Sequence, residues 1–116
     1  MNIEKTQAQM KKGVLELCIL SIISEKDAYA SDMIEKLKKS KLIVVEGTLY
    51  PLLTRLKNEG LLSYRWEESK TGPPRKYYLT TEIGEQVLKE LNISWQELVD
   101  AVNDIIQKSK SKVKTK

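Results

Sequence analysis

The chain has 116 residues, 41% of them hydrophobic, with 20 Lys and Arg against 16 Asp and Glu, no histidine and one cysteine. This length suits one small domain with an appendage. Without histidine there is no Ser-His-Asp triad or imidazole metal site, and one cysteine builds neither a thiolate zinc site nor an intrachain disulfide, so neither enzyme chemistry nor a cofactor is expected.

From Val14 to Ile23 only Glu16 and Ser21 interrupt an apolar run, which predicts a helix buried nearly all round. Cys18 lies inside it and reads as a small hydrophobe. Ala28 to Lys39 carries Tyr29, Met33, Ile34 and Leu37 at helical spacing, and Leu42 to Val45 has room for a short strand.

The next helix has two sides. Leu49, Leu52, Leu53 and Leu56 mark a buried face, while Thr48, Pro51, Arg55 and Asn58 lie on or near the opposite one. Pro51 is tolerated in a first turn, so the helix is expected to begin near Gly47 or Thr48, and Gly60 suits a left-handed C-terminal cap. Tyr50, beside Leu49 and Leu53, reads either as a surface contact or as a core tyrosine.

Leu62, Tyr64 and Trp66 then alternate as in a strand, Gly72-Pro73-Pro74 is expected to turn, and Arg75 to Leu79 forms a second strand. Helix, helix, short strand, helix and hairpin is the order of a winged helix-turn-helix domain. The predicted class is mainly α with a small β hairpin.

Thr81 is a good N-cap for a last helix from Glu82 to Lys108, about 40 Å long at 1.5 Å per residue. Gly84, Leu88, Leu91, Trp95, Leu98, Val102 and Ile105 alternate by four and three, a seam for packing on another helix. The apolar helix at Val14–Ile23 offers a partner across a homodimer. The expected organisation is a DNA-binding domain over residues 1–80, whose first helix also enters the dimer interface, a dimerisation helix over 81–108 and a disordered basic tail over 109–116.

The net charge of +4 is concentrated locally: the last nine residues hold five lysines, leaving 15 basic against 16 acidic residues elsewhere. Lys36, Lys38, Lys39, Lys41, Arg55, Lys57 and Arg65 cluster around the third helix, with Lys70, Arg75 and Lys76 on the wing. Clustered cations favour phosphate binding through counterion release. With no apolar run near the roughly 18 residues of a membrane span and no secretory-type N-terminus, the expected location is the cytoplasm, with no membrane partner.

The run Glu46-Gly47-Thr48-Leu49-Tyr50-Pro51, with Leu53 and Arg55-Leu56, then Gly60-Leu61, Gly72-Pro73-Pro74-Arg75-Lys76-Tyr77-Tyr78 and Thr81-Glu82-Ile83-Gly84, resembles the PadR family of transcriptional regulators. Lys12-Gly13 and the single long last helix resemble its short, LmrR-like subgroup. Two positions depart from the family pattern: Tyr29-Ala30-Ser31 replaces a Tyr-Gly-Tyr element, and Thr80 stands where a leucine is usual. The resemblance implies a homodimeric promoter-binding regulator, usually a repressor, relieved by a small molecule.

On this reading Thr48, Tyr50, Pro51 and Arg55 meet the major groove of double-stranded DNA or its rim, and Lys70, Arg75 and Lys76 meet phosphates or the adjacent minor groove. Trp95 is large for a seam position, so paired indoles can flank a gap that admits a planar aromatic effector. Leu91, Leu98, Val99 and Val14 are its expected walls, with Asp100 or Glu97 to attract a cation. The alternatives are a Trp95 that simply packs in the interface, and a winged-helix module that contacts another protein without specific DNA binding.

Overall fold

The computed structural model describes residues 1–114, with side chains described through Lys110. Its elements run α1 (Ile3–Lys12), α2 (Leu15–Glu25), α3 (Ala30–Lys39), α4 (Glu46–Asn58), β1 (Leu62–Ser69), β2 (Gly72–Thr80) and α5 (Glu82–Lys114). A winged helix-turn-helix body thus carries a long terminal helix.

Helix α1 was not expected, because Ile3, Ala8 and Met10 form no continuous apolar stripe. Its ends hold it instead: the Asn2 side chain accepts from the Lys5 amide at 3.0 Å, Glu4 lies in the first turn and Lys11 and Lys12 in the last, each suited to the helix dipole. No residue of α1 is buried.

The core gathers Ile19, Leu20 and Ile23 of α2, Met33 of α3, Leu49, Leu53 and Leu56 of α4, Tyr78 of β2 and Leu88 of α5. Helix α3 ends in a Schellman turn, with Leu42 N–H donating to Leu37 O at 2.8 Å and Lys41 in the left-handed region at φ 66°. Helix α4 ends the same way, Leu61 N–H donating to Leu56 O at 2.9 Å, with Gly60 at φ 81° as its sequence led us to expect.

The expected strand at Leu42–Val45 is absent. The outer edge of β2 is met instead by Ala28, which exchanges backbone hydrogen bonds with Tyr78 at 3.0 and 2.8 Å, while residues 42–45 run from the end of α3 into α4. The wing also differs from expectation: Gly72-Pro73-Pro74 belongs to β2, and the chain reverses at Lys70-Thr71. The pairing shifts between Glu67 opposite Arg75 and Ser69 opposite Gly72, leaving both prolines in a bulge where no ladder donor is required.

The N-cap of α5 is Thr81, whose hydroxyl oxygen accepts from Gly84 N–H at 3.0 Å while its proton goes to the Gly60 carbonyl at 2.6 Å. Leu88 and Leu91 pack on the core cluster. Beyond them the helix leaves the body, giving the molecule a longest axis of 64 Å. The backbone stays helical through Lys114, past the Lys108 at which the last helix was expected to end, and the end of the tail expected over 109–116 lies outside the described residues.

Candidate nucleic-acid interface

With Leu49, Leu53 and Leu56 turned inward, the 100° step per residue points Pro51, Thr54 and Asn58 outward, all exposed. Tyr50 and Lys57 fall on the shoulder towards the wing; Thr48 and Arg55 fall on the shoulder towards α2. Pro51 is the sixth residue of α4 rather than part of a first turn. Its ring removes one ladder donor, and the carbonyl that loses it belongs to Gly47, which is exposed to water.

The wing stands over the Tyr50 shoulder. Tyr50 is 48% exposed and Trp66 60%, and together with Glu46, Pro74, Arg75 and Lys76 they line a cleft of about 390 Å³ between α4 and the hairpin. Tyr50 is therefore a surface residue, not a core tyrosine. Tyr78, buried nearby, is pushed above the ordinary phenol range by burial and then by Tyr50 and Tyr64, which keeps it neutral.

Arg75 and Lys76 leave β2 on alternate sides and engage different aromatic partners, yet both line the cleft. Lys76 lies over the rings of Tyr64 at 4.6 Å and Trp66 at 5.5 Å. Arg75 lies over Tyr29 at 4.0 Å and donates to the Ser31 hydroxyl, clasping the wing to the start of α3. Lys70 is exposed at the tip. Arg65 is engaged with Glu67 at 2.6 Å and Asp27 at 3.4 Å, and the Glu67 hydrogen bond leads the effects that hold its charge.

The expected DNA residues are thus spread out, with Pro51 on the crest of α4, Lys70 at the wing tip and the others to either side of that helix. Tyr50, Arg75 and Lys76 share the wing cleft. Arg55 lies across the helix from it, in an ion pair with Glu16 of α2 and 3.9 Å from Glu59. Thr48 borders a second depression of about 470 Å³ lined by Lys11, Val14 and Ile43. Tyr29, Ser31 and Trp66 were not expected in the site. Strand alternation places Trp66 beside Tyr64, but only the folded path brings Tyr29 to the hairpin.

At the other end of α2, Val14, Leu91, Trp95 and Leu98 meet around a cavity of about 170 Å³, joined by Leu17, Ser94 and Glu16. Val99 does not line it, being turned about 40° from Trp95 on the flank away from Leu91 and Leu98. Of the two carboxylates expected to attract a cation, Asp100 accepts from Gln96 at 3.0 Å, and neither it nor Glu97 lines the cavity; Glu16 does. Cys18 is half-buried, and burial pushes its thiol up, away from the reactive thiolate.

The described fold carries no helix long and apolar enough to cross a membrane. Residues 19–90 match the transcriptional regulator PadR-like family. A PadR-like transcription factor from Bacteroides fragilis is 60% identical, the match covering 87% of this chain and 98% of that one, with a TM-score of 0.74. A PadR-like regulator from Bacillus cereus is 43% identical over 85% of this chain and 97% of its own, with a TM-score of 0.77. A PadR family regulator from Eggerthella lenta is 32% identical over 90% and 91%, with a TM-score of 0.82. With its recognition helix, wing and long terminal helix, this chain belongs to the PadR-like family of transcriptional regulators.

Proposed function

We propose that the protein is a ligand-responsive repressor of the LmrR-like subgroup, working in the cytoplasm as a homodimer on a pseudo-palindromic operator. The observation that carries the DNA reading is the open face of α4 beside a cleft whose wall holds Arg75 and Lys76. Pro51 and Thr48 enter or border the major groove, Tyr50 meets the backbone that crosses the cleft, and Arg75, Lys76 and Lys70 neutralise phosphates on the wing side. Arg55 meets the groove rim from the opposite shoulder, held in place by its ion pair with Glu16.

What supports the dimer is the apolar stripe of α5 beyond the body: Trp95 is 41% exposed, Leu98 55% and Ile105 67%. A helix leaves such a stripe in water at considerable cost unless a second copy covers it. Two-fold pairing presents two recognition helices to half-sites about one DNA turn, roughly 34 Å, apart. The effector reading rests on the cavity beside Trp95, whose occupant would alter the angle between the paired helices and so their spacing. Repression, rather than activation, follows the resemblance to drug-sensing members of the subgroup.

The test is binding to a duplex carrying the protein's own upstream region across a salt series. Replacing Arg75 and Lys76 together by alanine is expected to weaken binding to every duplex and to reduce the slope of log K against log salt by about 2, near 0.9 for each phosphate no longer neutralised. An unchanged affinity and slope would remove the wing from the interface.

A further inference from the structure

The Trp95 cavity and the recognition helix share one carboxylate. Glu16 lines the cavity with Val14, Leu17, Leu91, Trp95 and Leu98, and among the described residues it is the one charged member of that lining. The same carboxylate accepts a hydrogen bond from the Arg55 guanidinium of α4. Arg55 itself does not line the cavity.

An indole face, an aliphatic wall and one carboxylate are together the recognition chemistry of an aromatic cation. A neutral aromatic gains only the apolar contacts, and an anion meets repulsion. The Glu16 and Arg55 side chains are 37% and 50% exposed, so water reaches the pair and its members can change partners at little cost. We propose that Glu16 selects an aromatic monocation for this cavity and that the bound cation takes the carboxylate from Arg55, carrying occupancy to α4 as an exchange of ion pairs. This rests on reading the cavity as the effector site.

The exchange has a consequence that packing alone lacks. Arg55 and the ligand compete for one carboxylate, so removing Arg55 strengthens cation binding although Arg55 is not in the cavity wall. The experiment uses the full chain without DNA, titrated with N-methylquinolinium and with its neutral isostere 1-methylnaphthalene. The indole N–H resonance of Trp95 is followed, with that of Trp66 as the internal control.

In the wild type the cation is expected to bind more tightly than the isostere. Glu16→Gln is expected to weaken the cation about three- to tenfold and leave the isostere unchanged, while Arg55→Gln tightens the cation about two- to fivefold. Arg55→Gln keeps Glu16 in place and carries the test by itself if Glu16→Gln fails to fold. Cation binding that is unaltered in Arg55→Gln overturns the exchange while leaving the cavity an effector site. If neither compound moves the Trp95 resonance in the wild type, the effector reading falls and this inference falls with it.

Discussion

Gly84 lies so close to Leu61 that a Cβ on it would stand 2.1 Å from the Leu61 carbonyl oxygen. That oxygen also accepts from Thr81 N–H at 3.2 Å, so the first turn of α5 is set directly on the junction between α4 and the wing. Sequence spacing had assigned Gly84 to a seam facing another helix; the fold uses it, with Leu88 and Leu91, inside the subunit. Because a backbone atom cannot move aside as a side chain can, Gly84→Ala is expected to destabilise the protein by about 3 kcal/mol or more, read from denaturant midpoints. A change under about 1 kcal/mol would mean that the helix start can shift freely.

The two Schellman turns make opposite predictions. At Gly60, φ 81° suits glycine, and Gly60→Ala is expected to cost about 1 kcal/mol. At Lys41, φ 66° imposes that strain on a lysine already, so Lys41→Gly is expected to gain up to about 1 kcal/mol. Thermal melts of the two variants should move in opposite directions from the wild type.

Glu85 ties three elements together, accepting from the Thr80 hydroxyl at the end of β2 and from the Ser24 hydroxyl of α2 at 2.8 Å. The Thr80 hydrogen bond first, then that from Ser24, hold its carboxyl below the ordinary range. A pKa lowered by folding stabilises the protein above the unfolded value, about 4.3, and that contribution disappears as pH falls through the folded pKa. Glu85→Gln is expected to lower stability at neutral pH and to flatten the loss of stability below about pH 4.3. An acid limb as steep as the wild type's would exclude Glu85 as its source.

Leu98 lies on the exposed stripe of α5, away from the buried core. Leu98→Glu is expected to preserve the monomer fold while abolishing dimer formation and operator binding. Sedimentation of the wild type at micromolar concentration gives the reference, and a wild-type monomer there would refute the proposed pairing.

Much of the architecture follows from rules that act within a few residues. The leucines at 49, 53 and 56 fix the buried face of α4, Gly60 its end, Thr81 the start of α5, and the alternation of Leu62, Tyr64 and Trp66 a strand. Each of these reflects local backbone geometry or local capping, so the sequence alone determines it. Helix α1 escaped because end effects rather than an apolar stripe hold it, and the strand expected at 42–45 is absent, the outer edge of β2 being met by Ala28 instead. The pairing of Arg55 with Glu16, the clasp of Arg75 on Tyr29 and the seat of Gly84 on Leu61 all join residues far apart in the chain. Periodicity reports which face of an element is turned from water; what that face meets is decided only when the whole chain has packed.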